Sequence, residues 1–219
     1  MEYSHNHADL LPSELNFWKK WFKESGGEYK QDFKFRTNNK SEITSNSWVF
    51  NSLRKTDKVL DVGCGPMPSY GYCLGGHTLD LIGIDPLADE YNHLIETYTP
   101  NVKFRAMKVD GEKMLDVFNE NQFDKVFSQN ALDHSYNPIL CIQNMVKVCK
   151  NTGIVKFVVY KNEAEYGKYK GLHQWNFTIE NKKLKLWNRD GATFIDDHIQ
   201  CKSIKSSLQE RYVFVEIRP

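Results

Sequence analysis

The pattern of hydrophobic and polar positions changes once along the chain, near Lys58. Before this point, apolar residues recur at near-helical spacing and predict two helices, over about residues 13–25 and 44–55. After it, short apolar runs alternate with amphipathic stretches, which is typical of buried parallel strands joined by helices. The runs predict strands at residues 59–60, 79–84, 102–106, 123–127 and 153–159, with a helix over about residues 135–150 before the last.

The final third of the chain interrupts this alternation. Residues 160–190 are rich in Tyr, Lys, Glu and Asn, and they predict a hairpin of residues 177–180 and 183–187 that turns at Asn181-Lys182. A short helix over about residues 191–198 and two strands near 201–207 and 211–217 should follow. We therefore predict an α/β fold with a Rossmann-like, seven-stranded, mostly parallel sheet, helices on both faces and an antiparallel last strand. N-terminal helices and an insertion after strand five complete the prediction.

Composition excludes several classes of protein. The 219 residues include 29 basic and 28 acidic side chains, and this balance gives no electrostatic reason to expect nucleic acid as a partner. The five cysteines are odd in number and form no C-x-x-C pair, so we expect a reducing compartment, the cytoplasm. The first ten residues lack an apolar signal core, and no run approaches the roughly 18 apolar residues of a membrane span. The sequence leaves open whether the chain forms a homodimer.

The segment VLDVGCGPMPSYG, residues 59–71, carries the strongest chemical signal. A strand ends at Asp61, and Gly63 and Gly65 follow at once. Glycine has no Cβ, so a ligand can approach the backbone closely and unusual backbone angles are allowed. Ligands of open α/β sheets bind beyond the carboxyl ends of the strands, and this loop lies at that position.

Polar residues also follow the next three predicted strands. Asp85 ends the second strand and could accept hydrogen bonds from both hydroxyls of a ribose. Asp110 follows the third strand and could accept a hydrogen bond from an adenine amino group. The loop after the fourth strand delivers Gln129, Asn130, Asp133 and His134 to the same rim.

This ordered set of strand ends resembles the class I S-adenosylmethionine-dependent methyltransferase family over about residues 57–160 and the final strand pair. Met67 departs from the pattern, because family members usually carry a third glycine there. The predicted N-terminal helices, within residues 1–56, could cap an active site or simply cover one face of the sheet. The resemblance implies a methyltransferase domain over residues 57–219, with a substrate insertion at about 160–190. It implies S-adenosylmethionine as the cofactor, bound by Asp61, Gly63, Cys64, Gly65, Asp85, Pro86, Asp110, Gly111, Glu112, Gln129 and Asn130.

Two histidines are candidates for the base that removes a proton from a methyl acceptor. His134 follows the strand-four loop, and the alternative is that it only packs at a helix start. Asp133 could orient His134 or act itself, but it could equally cap the helix. His173 lies in the insertion and is the second candidate. These three residues could in principle hold a divalent metal, but their spacing matches no known ligand pattern, so we predict no metal.

The acceptor is the least determined part of the prediction. The segment GLHQWNF, residues 171–177, more weakly resembles bacterial methyltransferases of surface-polysaccharide biosynthesis. That resemblance implies O-methylation of a small polar acceptor, such as a sugar or a phosphoryl or phosphoramidate group of a capsule or lipopolysaccharide precursor. A nucleotide-linked or phosphorylated sugar could be attracted by basic residues near the site, namely Lys161, Lys168, Lys170 and Arg189.

Three alternatives remain open at this point. The chain could methylate RNA or protein, although its near-neutral charge weighs against a polyanion, or it could bind S-adenosylmethionine without catalysis. A nicotinamide-dependent dehydrogenase is the remaining alternative. It would need the third glycine of a G-x-G-x-x-G motif that opens a helix, whereas PMPSYG follows Gly65 here.

Overall fold

The computed structural model describes residues 10–219, so the polar first nine residues, and that part of the predicted cap, lie outside it. Short single-turn helices and loops join the main elements. In chain order these are α1 (Leu11–Lys23), α2 (Lys30–Arg36), β1 (Lys58–Val62), β2 (Cys73–Leu74), β3 (His77–Thr78), β4 (Asp80–Asp85), α3 (Ala88–Tyr98), β5 (Met107–Lys108), β6 (Phe123–Gln129), α4 (Pro138–Val148), β7 (Cys149–Tyr160), α5 (Glu163–Tyr166), β8 (Asn176–Glu180), β9 (Lys183–Trp187), β10 (Ala192–Phe194), β11 (Ser203–Gln209) and β12 (Tyr212–Arg218).

Seven strands form the central sheet in the order β11-β12-β7-β6-β1-β4-β5. Strands β5, β4, β1, β6 and β7 pair in parallel, whereas β12 lies antiparallel between β7 and the edge strand β11. The sequence-based prediction of a Rossmann-like, mostly parallel sheet with an antiparallel last strand is therefore confirmed. The carboxyl ends of β1, β4 and β6 meet at one edge, and this edge positions the site.

Alternating side chains of the central strands build a core on each face of the sheet. Leu60 and Val126 pack with α4 and the insertion, while Val59 and Phe127 pack with the segment over residues 43–53. Each large apolar side chain buried in this way stabilises the fold by about 1.5–3 kcal/mol. Helices α1 and α3 form a third apolar cluster beside the edge that carries the site.

The insertion forms a separate three-stranded sheet in the order β10-β9-β8. Its hairpin turns at Asn181 and Lys182, which have φ angles of 51° and 64°. Two successive residues with positive φ are typical of the two-residue turn that matches the twist of a hairpin. The predicted hairpin and its turn are confirmed. Phe177, Leu184 and Leu186 attach this small sheet to the main core.

Two helix predictions are wrong. Residues 44–55 form only a single turn, Phe50–Ser52, because the apolar side chains of this segment pack irregularly against the sheet, and its Ser, Thr and Asn residues favour turns. The second helix lies earlier, at α2, where seven mostly charged residues show little apolar pattern. The helix predicted over residues 191–198 is instead strand β10, followed by the single turn Ile195–Asp197.

The third predicted strand is also misplaced. Residues 102–106 do not pair with β4, and only the two residues of β5 do so. The backbone N–H groups of Lys103 and Ala106 donate to the side chains of Asn39 and Asn92. Side-chain acceptors thus replace a neighbouring strand. Within residues 10–219, no helix combines the length and the apolar character that a membrane crossing requires.

Candidate cofactor and acceptor site

A cavity of about 540 Å³ opens at the carboxyl ends of β1, β4 and β6. Its volume lies within the range of small-molecule sites. Helix α1 covers one side of it through Leu11, Glu14 and Trp18. All eleven residues for which the sequence implies a cofactor role line this cavity: Asp61, Gly63, Cys64, Gly65, Asp85, Pro86, Asp110, Gly111, Glu112, Gln129 and Asn130.

The loop after β1 needs glycine at two positions. Gly63 has a φ of +68°, and a Cβ built on it would overlap the Cβ of Ala131 in the loop after β6. Gly65 has a φ of +60°, and a Cβ there would lie 3.3 Å from the Trp18 ring. The N–H of Gly63 donates to the Ile84 carbonyl at 2.9 Å and ties the loop to β4. The loop backbone therefore lines the floor of the cavity while it packs closely against Ala131 and Trp18.

Two buried carboxyl groups flank this loop. The Asp85 carboxylate accepts hydrogen bonds from the N–H groups of Leu87 at 2.9 Å and Gly65 at 3.0 Å. Burial nevertheless raises the pKa of Asp85 to about 7. Burial also raises the pKa of Asp61 to about 7, although the Tyr70 hydroxyl and the Arg36 charge oppose the rise. A ligand that brings hydroxyl donors or positive charge would favour the ionised form of both groups.

The residues after β5 occupy the next part of the wall. Asp110 is half-exposed and forms an ion pair with Lys113 at 3.1 Å. The Glu112 carboxylate accepts a hydrogen bond from the Asn137 N–H at 2.8 Å, so it also holds the start of α4. A Cβ at Gly111 would lie 2.5 Å from the Cys141 sulfur, which explains the small residue at this point.

The end of β6 presents polar atoms to the cavity. The side-chain amide oxygen Oε1 of Gln129 accepts hydrogen bonds from the Ser69 hydroxyl at 2.6 Å and the Trp48 ring N–H at 3.0 Å, which fix the orientation of this side chain. Ser128 Oγ and Asn130 Oδ1 are buried and have no hydrogen-bond partner among residues 10–219. Since buried polar atoms are normally paired, these two oxygens are available to a ligand.

Sequence reasoning missed the contribution of α2. Arg36 lines the cavity, donates to the Met67 carbonyl at 3.0 Å, and lies 5.6 Å from the centre of the Trp18 ring. Trp18 in turn donates to Glu14 at 2.7 Å. Met67 is fully buried against α1 and α3, so a packed side chain lies where the family pattern leads us to expect glycine. No sequence signal marked Arg36, because its helix was not predicted.

The three candidate catalytic side chains lie together, but only His134 lines the cavity. His173 Nδ1 lies 2.7 Å from Asp133 Oδ2 and 3.0 Å from His134 Nε2. Asp133 is buried, which would raise its pKa, but the neighbouring imidazoles outweigh burial and the pKa is lowered. Burial would lower the pKa of His173, but the Asp133 carboxylate outweighs it and raises the pKa. A buried carboxylate therefore lies beside two imidazole rings.

The insertion brings His173 to this position through backbone contacts. The N–H groups of Gln174 and Trp175 both point at the Asp133 carbonyl, at 3.2 and 3.3 Å. The Trp175 ring N–H donates to the Ser135 carbonyl at 3.0 Å. The four basic residues considered for phosphate binding do not line the cavity in the described part of the chain: Lys161, Lys168, Lys170 and Arg189.

Comparisons with known proteins agree with this geometry. The model of a family described as "Methyltransferase domain" matches residues 60–157. An uncharacterized methyltransferase of Schizosaccharomyces pombe is 24% identical over 138 residues, which cover 56% of this chain and 50% of that protein. The match thus spans only half of the length of this relative.

Solved structures show the same fold. A candidate S-adenosyl-L-methionine-dependent methyltransferase from Methanococcus maripaludis superposes with a TM-score of 0.61 at 11% identity, over 99% of this chain and 95% of that one. The carbon methyltransferase of CurJ gives a TM-score of 0.51 at 11% identity, over 77% of this chain and 50% of that one.

The residues around the cavity also fit S-adenosylmethionine chemically. Ribose hydroxyls can donate to a buried carboxylate such as Asp85, and the unpartnered oxygens of Ser128 and Asn130 suit further donors. Gly63 and Gly65 line the cavity with backbone atoms alone, because neither residue has a side chain. The match of residues 60–157 to a methyltransferase domain, the shared fold and the lining of the cavity therefore support a methyltransferase domain that uses S-adenosylmethionine as its cofactor.

Proposed function

We propose that the chain transfers the methyl group of S-adenosylmethionine to a hydroxyl group of a small polar acceptor. The observation that carries this proposal is the group formed by Asp133, His134 and His173, hereafter the Asp-His-His cluster, of which His134 lies in the cavity wall. The sulfonium supplies an activated methyl group, so the protein has to align the acceptor and remove its proton.

In this proposal each end of the cofactor has its own residues. Asp85 accepts hydrogen bonds from the ribose hydroxyls, and the loop of Asp61, Gly63 and Gly65 holds the methionine end. The adenine contacts Asp110 and its neighbours Gly111 and Glu112. Gln129 and Asn130 lie between the cofactor and the acceptor, together with Cys64 and Pro86 at the edges of the loops.

The cluster divides the proton-transfer work among its members. His134 lines the cavity, so it is the member that takes the proton of the acceptor hydroxyl. His173 and Asp133 are positioning residues, because they contact His134 or each other and do not line the cavity. A neutral, oriented imidazole is the usual general base near neutral pH.

The charge of the cavity favours a neutral acceptor. Five acidic residues line it (Glu14, Asp61, Asp85, Asp110 and Glu112), against the two basic residues Arg36 and Lys113. An excess of carboxylates repels phosphate, so a neutral sugar hydroxyl of a capsule or lipopolysaccharide precursor fits better than a nucleotide-linked or phosphorylated sugar. The same argument disfavours RNA. All five cysteines are free thiols, which suits the reducing cytoplasm.

A labelled-methyl assay tests the proposal. The full chain is incubated with methyl-labelled S-adenosylmethionine and, separately, with free hexoses, methyl glycosides, sugar phosphates, nucleotide sugars, total RNA and a protein mixture. We expect label in a neutral sugar. Label confined to RNA or protein contradicts the acceptor class, and cofactor binding without transfer to any acceptor supports a non-catalytic protein.

A matched pair of histidine variants tests the role of His134. His134→Gln should lower turnover by about 10²–10⁴-fold, the usual contribution of a general base, while the affinity for S-adenosylhomocysteine stays within about threefold. His93→Gln changes an exposed histidine on α3 and should leave both quantities unchanged. Full turnover in His134→Gln would remove His134 from the mechanism.

A further inference from the structure

Three atoms of the types that ligate metals converge in the Asp-His-His cluster. Asp133 Oδ2, His134 Nε2 and His173 Nδ1 are separated by 2.7, 3.0 and 3.5 Å, and each residue offers one ligand atom. Neighbouring positions of the sequence supply two of them, and the docked insertion supplies the third. The spacing along the chain predicts no metal, but the fold brings these atoms close together.

Hydrogen bonding alone satisfies this arrangement poorly. If the Nδ1–H of His173 donates to Asp133, the same hydrogen faces the His134 nitrogen at 3.0 Å, so one proton serves two acceptors. If His134 Nε2 carries the proton instead, it donates to the lone pair of His173 Nδ1, and the Asp133 oxygen then faces the same nitrogen at 2.7 Å with no proton between them. A positive ion in the centre would accept a lone pair from each of the three atoms.

We propose that the Asp-His-His cluster binds one divalent transition-metal ion. Given the three separations, an ion about 2.1 Å from each atom would have ligand–ion–ligand angles of about 80–115°, a range that includes the octahedral and tetrahedral values. Two imidazoles and one carboxylate suit Zn²⁺, Fe²⁺, Mn²⁺, Co²⁺ or Ni²⁺, whereas Mg²⁺ prefers oxygen ligands. Three protein ligands leave coordination positions open for a substrate.

The surroundings of the cluster are suited to hold an ion. Asp133 is buried, and its backbone carbonyl is fixed by the N–H groups of Gln174 and Trp175. His134 places one ligand at the cavity wall, so an open coordination position would border the acceptor space. Rigid ligands beside a cavity are the arrangement that a catalytic metal requires.

This inference rests on the proposed function and changes its proton step. The ion lowers the pKa of the acceptor hydroxyl that it binds, and the hydroxyl proton leaves to water. The acceptor oxygen then forms a bond to the methyl carbon as the sulfur–carbon bond breaks, and the bonding electron pair stays on sulfur. The products are the methyl ether and uncharged S-adenosylhomocysteine, so no electrons are gained or lost overall.

Metal binding is measured first, without any methyl acceptor. The chelator-treated full chain is titrated with Co²⁺ and followed by visible absorption and calorimetry. We expect one equivalent to bind, Zn²⁺ to compete, and millimolar Mg²⁺ to have no effect. His173→Ala and His134→Ala should each weaken binding by at least tenfold, and circular dichroism checks that both variants are folded.

Two controls separate this site from other histidines. His5 and His7 are close together in the sequence, so the variant His5→Ala/His7→Ala should retain the Co²⁺ spectrum. His93→Ala should also retain it. The site is refuted if the Co²⁺ signal disappears with His5 and His7 but survives in His173→Ala, or if the wild-type chain binds no Co²⁺.

Activity then distinguishes the two proposals. Turnover that falls at least tenfold after chelation and returns with Zn²⁺ or Mn²⁺ supports the metal. Undiminished turnover after chelation refutes a role of the metal ion in proton removal and leaves His134 as the base. One bound Co²⁺ without transfer to any acceptor supports the site and refutes the proposed function.

Discussion

Replacing Gly63 with alanine tests the close approach of the two loops that form the floor of the cavity. Gly63 has a φ of +68°, and an added Cβ would overlap the Cβ of Ala131. A left-handed conformation costs an ordinary residue about 1–2 kcal/mol. Forcing an extra carbon into a packed region costs about 1–3 kcal/mol more. Gly63→Ala should therefore lower the free energy of unfolding by about 2–5 kcal/mol.

A second glycine separates these two costs. Gly76 has a φ of +79°, but a Cβ there would meet no atom within 4 Å. Gly76→Ala should therefore cost only the conformational part, about 1–2 kcal/mol. Both substitutions restrict the unfolded chain in the same way, so that contribution cancels in their difference. The difference measures the overlap with Ala131.

Removing the Cβ of Ala131 should relieve the overlap. In the double variant Gly63→Ala/Ala131→Gly the colliding atom is gone, so about 1–3 kcal/mol should return, which a double-mutant cycle measures directly. Urea unfolding followed by tryptophan fluorescence gives the free energies, and calorimetry gives the affinity for S-adenosylhomocysteine. Equal losses in Gly63→Ala and Gly76→Ala, with no recovery in the double variant, would refute the contact between these loops.

Two further predictions concern the charges of the cavity. Burial raises the pKa of Asp85 to about 7, and the ribose hydroxyls favour its ionised form, so cofactor binding should release a proton below this pH. Affinity for S-adenosylhomocysteine should rise from pH 6 to 7 and level off by pH 8. Asp85→Asn should weaken it by about 1–3 kcal/mol and reduce this pH dependence to the part that Asp61 contributes, because the pKa of Asp61 is also about 7. An equally steep dependence in Asp85→Asn would contradict the assignment. Arg36→Gln should weaken cofactor binding by about 1–2 kcal/mol and lower the melting temperature, because the hydrogen bond to the Met67 carbonyl is lost, whereas Arg218→Gln, at an exposed pair, should change neither.

The sheet could be predicted because buried parallel strands have a strong sequence signal. Strands β1, β4, β6 and β7 have buried apolar residues on both faces, and each ends at a polar residue or is followed directly by one or by glycine. Parallel strands share one carboxyl edge, so the order of motifs along the sequence becomes a set of neighbours in space. This is why the sequence predicts that eleven residues from four separate segments line one cavity.

The N-terminal part of the wall could not be predicted in the same way. Its apolar residues at 43–53 face the sheet without forming a helix, and α2 is short and mostly charged. The third strand failed because the side chains of Asn39 and Asn92 take the hydrogen bonds that a neighbouring strand would take. Asn39 is more than 60 positions from the residue whose N–H it accepts. The periodicity of the sequence does not indicate contacts of this kind.

The Asp-His-His cluster shows where prediction from the sequence stops. Asp133 and His173 lie 40 positions apart, and either could be recognised as reactive from its neighbours. Their contact depends on two backbone N–H groups of the insertion that meet the Asp133 carbonyl, and on the Trp175 ring that meets the Ser135 carbonyl. These hydrogen bonds depend on the positions of single groups in three dimensions, and they leave no pattern of apolar residues in the sequence. The shared edge of the sheet therefore determines where the cofactor site lies, whereas the acceptor chemistry depends on how the insertion packs against that edge. Variants in residues 172–176 should consequently affect acceptor turnover more than cofactor affinity.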